Sequence, residues 1–103
     1  MADWLKIRRE SLRWNLLNTL HYNRPYSMPE QRLLEVAIAL YPDSTPTEIR
    51  RELSYLADRA LLSLVRQPSG TWFADLTRDG VDVCDYTVDC DPGIARPVKY
   101  WES

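Results

Sequence analysis

The apolar repeat of this chain changes once, near Leu61, and that change limits what it can fold into. Upstream, apolar residues recur every three or four positions; downstream they alternate, so helices come first and a strand pair follows. Over residues 2–22, Trp4, Leu5, Leu12, Leu16, Leu17 and Leu20 keep helical spacing, with Asp3 as a cap and Asn23-Arg24-Pro25 as a stop. Ser27 and Glu30 have capping-box spacing, and Pro29 suits a first helical turn. They predict a second helix with the stripe Leu33, Leu34, Ala37, Ile38 and Tyr41, closed by Pro42. Ser44 or Thr45 caps a third helix, with Pro46 just inside and Glu48 in its first turn. Ile49, Leu53, Leu56 and Ala60 form its buried stripe, leaving Thr47, Arg50, Arg51, Ser54, Tyr55 and Asp58 outward.

Beyond Leu61, Leu62, Leu64 and Arg66 alternate with Ser63, Val65 and Gln67, then Pro68-Ser69-Gly70 signals a turn. Residues 71–76 are rich in β-formers, so 62–76 reads as a hairpin. Thr77 caps a short helix through Val81, Cys84 and the neighbourhood of Val88, with Gly80 costing it ~1 kcal/mol relative to alanine. From Asp89, Pro92, Gly93 and Pro97 favour an extended tail, whose Ile94, Val98, Tyr100 and Trp101 equip it to dock. The expectation is a mainly α fold with a small two-stranded hairpin: one domain over residues 1–88 and a tail over 89–103.

A chain of 103 residues, 45% apolar and 27% charged, holds one core and is no disordered polymer. Net charge is −2, so attraction to a polyanion must be local. Residues 1–66 carry ten basic and eight acidic side chains and residues 67–103 three and seven, which makes the first part the better anion-facing half. No apolar run approaches the ~20 residues of a membrane span, and Lys6, Arg8 and Arg9 interrupt any leader, so a cytoplasmic protein without membrane attachment is expected. Cys84 and Cys90 lack zinc spacing, and Asp75, Asp79, Asp82, Asp85, Asp89 and Asp91 lack a calcium-loop pattern, so no metal or cofactor is expected. One histidine, His21, with no nucleophile paired to a base, points away from catalysis.

The element order resembles a winged helix-turn-helix domain over about residues 12–88. Residues 47–64, Thr-Glu-Ile-Arg-Arg-Glu-Leu-Ser-Tyr-Leu-Ala-Asp-Arg-Ala-Leu-Leu-Ser-Leu, resemble that family's recognition helix entering its first wing strand. Ala60-Leu61 stands where the family often has Gly-Leu. Leu76-Thr77-Arg78-Asp79-Gly80 looks like the Leu-Thr-x-x-Gly passage into the final helix of MarR- and ArsR-like regulators. The recognition-helix cysteines of metal-sensing ArsR-like regulators are absent. Residues 86–97, Tyr-Thr-Val-Asp-Cys-Asp-Pro-Gly-Ile-Ala-Arg-Pro, look like small winged-helix proteins of Mu-like transposable phages and prophages.

The resemblance implies a phage or prophage transcriptional regulator that contacts double-stranded DNA through a recognition helix at 46–60 and a wing at 62–76. Arg50 and Arg51 are then the base-edge readers, since a guanidinium can bracket guanine for ~1–3 kcal/mol of discrimination. Thr45, Thr47, Ser54, Arg59, Arg66, Gln67 and Ser69 are the further contacts, with Glu48 and Glu52 opposing phosphate unless they turn away. The competing expectation is a winged-helix module that engages a protein partner. Four tryptophans exceed one small core. Trp4 and Ile7 therefore mark a homodimer seam, while the opposing arrangement buries Trp14 and Trp72 and lets Trp101 cover a groove.

Overall fold

Asp3 starts the first helix as expected: its carboxylate accepts from the backbone N–H groups of Leu5 and Lys6 at 3.1 and 3.2 Å. The structure, a computed structural model, describes residues 3–99. Its elements run α1 (Trp4–Tyr22), β1 (Met28–Pro29), α2 (Glu30–Leu40), α3 (Pro46–Asp58), β2 (Leu62–Arg66), β3 (Trp72–Leu76) and α4 (Arg78–Cys84). Four helices thus pack with a three-stranded antiparallel sheet of order β1-β3-β2. Leu12, Leu16, Leu17 and Leu20 of α1 meet Leu33 and Ala37 of α2 and Ile49, Leu53 and Leu56 of α3 in one core. Met28, Leu62, Ala74 and Cys84 close it from the sheet and α4. Each fully buried leucine contributes roughly 1.5–3 kcal/mol of apolar transfer, so this cluster holds the helices together.

The sheet departs from the expected two strands. Met28 and Pro29 pair with Ala74 and Phe73, adding a short third strand before α2. The capping box is absent for the same reason: α2 begins at Glu30 behind Pro29 with no side-chain cap, and the Glu30 carboxylate points elsewhere. In the hairpin, Leu62 faces Leu76 and Arg66 faces Trp72. Its five-residue tip is a turn closed by Gly70 N–H donating to the Gln67 carbonyl at 2.8 Å, with Gly70 at φ +94°.

The exit of α3 is made by Ala60 at φ +61°. Leu61 N–H donates to the Leu56 carbonyl and Ala60 N–H to that of Ala57, the two bonds of a Schellman closure normally made by glycine. Ala60 is therefore exposed and not part of the buried stripe. Tyr55 and Glu52 also correct the expected helix faces: Tyr55 packs against the core and Glu52 is fully buried. Trp14 is half-buried and packs against the core, while Trp72 is half-buried in the hairpin.

Thr77 caps α4 by accepting from Gly80 N–H, and the helix stops at Cys84, short of Val88. A β-carbon at Gly80 would collide with the Leu61 carbonyl oxygen, so close packing requires this glycine. The tail docks by Ile94 on the core and by Ala95 N–H donating to the Glu10 carbonyl at 3.1 Å. Tyr100 and Trp101 lie outside the described residues. Among the described residues, no helix is long and apolar enough to cross a membrane.

Candidate nucleic-acid interface

The start of α3 forms a ridge because Thr45 and Pro46 fix it there. The Thr45 hydroxyl accepts from Glu48 N–H at 3.2 Å, and Pro46 occupies a first-turn position that needs no donor. A groove flanks the ridge on each side. Towards the hairpin tip, a groove of about 550 Å³ is lined by Glu30, Thr47, Arg50, Ser69, Gly70 and Thr71. Towards α1, one of about 350 Å³ is lined by Leu5, Arg8, Arg9, Asp43, Thr45, Glu48 and Arg51.

The α1 side pairs two of the three acids of α3, Glu48 and Glu52. Arg8 donates from Nε and Nη2 to the two oxygens of Glu48, each at 2.9 Å, and from Nη1 to Asp43 at 2.8 Å. The Glu48 carboxylate, and then that of Asp43, raise the Arg8 pKa further, and Asp43 is in turn held below its ordinary range by Arg8. Arg13 donates from Nε to Glu52 at 2.8 Å and from Nη1 to the Gly93 carbonyl, with its guanidinium 3.5 Å from the Tyr55 ring centroid. Glu48 and Glu52 are thus held by arginines forty and thirty-nine residues away in sequence, and Arg8 is shared between Glu48 and the exposed Asp43.

On the hairpin side the carboxylate is Glu30. Arg50 donates to Glu30 Oε1 at 2.6 Å and Oε2 at 2.7 Å, and to the Gly70 carbonyl at 2.7 Å. Trp72 N–H donates to Glu30 Oε2 at 2.6 Å. The Arg50 hydrogen bonds hold the Glu30 carboxyl below its usual range, against the opposing effect of burial and with help from Trp72 N–H. The guanidiniums of Arg50 and Arg66 each lie 4.6 Å from the Trp72 ring centroid.

Of the residues singled out from sequence, Thr47, Arg50 and Ser69 share the hairpin-side groove and Thr45 and Arg51 the α1-side groove. Arg51 is exposed, its Nε donating to Glu52 at 3.3 Å. Gln67 and Arg66 are exposed in the hairpin, and Ser54 is half-buried. Arg59 stands apart: it caps the far end of α3, 3.9 Å from Asp91 of the tail. Arg8, Arg9, Glu30 and Trp72 join the site without having been singled out as contacts; a long-range pairing leaves no local pattern. Trp4, Leu5 and Ile7 are exposed on the first turns of α1.

Elsewhere, burial pushes the Cys84 thiol up to about 12 and raises that of Cys90, so both stay protonated. His21 Nε2 lies 2.8 Å from Asp85. No group of three or more metal-ligating side chains occurs among the described residues. Comparison with protein-family models, curated proteins and solved structures gives no match.

Proposed function

We propose that this chain is a winged helix-turn-helix protein that binds double-stranded DNA, with α3 in the major groove and the β2–β3 hairpin as the wing, in the role of a phage or prophage transcriptional regulator. The element order and the β1-β3-β2 sheet support the fold. One observation carries the function: Glu48 and Glu52 are turned onto Arg8 and Arg13, so the first turns of α3 face outward with Arg51 and hydroxyls, and the neighbouring exposed Asp43 is held by Arg8. Arg9 shares the Arg51 groove, and Arg66 supplies a cation on the wing. With so few cations, a handful of phosphates is neutralised and affinity falls steeply with salt.

Titration of a labelled duplex at increasing salt tests this. Binding to wild type and a loss of at least about tenfold in Arg51→Ala with Arg66→Ala support it, tenfold corresponding to 1.4 kcal/mol. Absence of binding, or indifference to both substitutions, overturns it in favour of a protein-binding module. Trp4 at 75% and Ile7 at 46% exposure favour a two-fold seam along α1, as paired half-sites require. Light scattering should give a dimer for wild type and a monomer for Trp4→Glu.

A further inference from the structure

A guanidinium reads guanine by offering two nitrogens as a fork. In Arg50, Nε is committed to Glu30 Oε1, and Nη2 to Glu30 Oε2 and the Gly70 carbonyl. Both two-nitrogen edges of the group, the side edge and the end, include Nη2. Neither edge is therefore available for bracketing a base. The pair is also formally neutral, which weakens its pull on phosphate.

The same contacts join three elements. Glu30 is the first residue of α2, Arg50 lies in α3, and Gly70 and Trp72 belong to the hairpin tip and the start of β3. Glu30 Oε2 takes Trp72 N–H at 2.6 Å in addition to Arg50, so one carboxylate fixes both the arginine and the backbone where the tip rejoins the strand. We infer that Glu30 is a positioning residue of the DNA interface: it holds Arg50 as a latch that sets the wing's angle to α3, and base discrimination falls to Arg51. This rests on the DNA-binding reading proposed above. It reassigns Arg50 from base reader to latch, and it gives Glu30 a role in selectivity although it contacts no DNA.

The test uses the full chain. Selection from a pool of random duplexes with wild type supplies a preferred duplex; its affinity and that of a scrambled duplex are then followed over a salt series. Glu30→Gln uncovers the Arg50 charge and loosens the tip. The expected result is tighter binding of the scrambled duplex at low salt, a salt slope steeper by about 0.9, and a preferred-to-scrambled ratio lower by about tenfold. Arg50→Lys keeps the charge but has a single nitrogen to share among two Glu30 oxygens and the Gly70 carbonyl; the ratio should fall while the selected sequence stays the same. Selection by Arg50→Lys of a different base, or a slope and ratio unchanged in both variants, overturns the latch. Circular dichroism checks folding, and if Glu30→Gln does not fold, Arg50→Lys decides. Wild type that retains no duplex at low salt removes the DNA reading and the latch with it. Wild-type binding that depends on Arg51 and Arg66 but ignores both latch variants removes the latch alone.

Discussion

The two flanks of α3 use the same pair of side chains to different ends. Towards α1, Arg13 meets Glu52 with side-chain exposures of 12% and 0%; towards the hairpin, Arg50 meets Glu30 at 41% and 9%. Where water is excluded, removing one partner leaves a charge with nowhere to be solvated, so the pair is part of the architecture. Where the guanidinium stays wet, water can replace a lost partner, so the pair can tune orientation without deciding whether the chain folds.

Arg13→Ala should break that contrast most forcefully. It leaves Glu52 buried with only the 3.3 Å contact to Arg51, which places the loss at about 3 kcal/mol, the low end for a broken buried pair. A thermal melt should fall by more than about 10 °C. An equal fall in Arg50→Lys would erase the distinction between the flanks.

Between the flanks, Thr45→Ala removes the cap of the ridge and should cost about 1 kcal/mol in denaturant unfolding. A smaller effect separates the flanks by pH. The Glu30 pKa is lowered in the folded chain from its ordinary 4.5, so its contribution is present above that value and is lost as pH falls through the lowered one. Stability measured from pH 5 downward should therefore decline less steeply in Glu30→Gln than in wild type. An identical acid limb would mean that the hairpin-side pair adds nothing to folding. The smallest change expected is a gain: Ala60→Gly relieves the left-handed exit of α3, away from both flanks, and should stabilise by roughly 0.5 kcal/mol with duplex affinity unchanged.

The helices were legible where period and caps agree. Asp3, Thr45 and Thr77 cap the helices expected of them, and Pro68-Ser69-Gly70 marks the hairpin tip. Strand β1 was hidden because two residues cannot display a period, and because Ser27 and Glu30 imitate a helix start. The site was half legible: its outward threonines and Arg51 follow from helical geometry. The destinations of Glu30, Glu48 and Glu52 do not, because each depends on an arginine at least twenty residues away. Gly80 and Ala60 invert expectation in the same way. Helix propensity counts the glycine as a cost until the Leu61 carbonyl approaches it, and the helix exit forms without one.

The tail also acts on α3 at a distance. Gly93 accepts a hydrogen bond from Arg13, and any β-carbon there would run into the Tyr55 hydroxyl, so the extended backbone roofs the Arg13–Glu52 pair at close range. Cutting the chain ahead of Gly93 would strip that roof, admit solvent to a charge pair built for a dry setting, and weaken α3 from behind. Fragments that end with α4 should accordingly be less stable than their apolar content alone suggests.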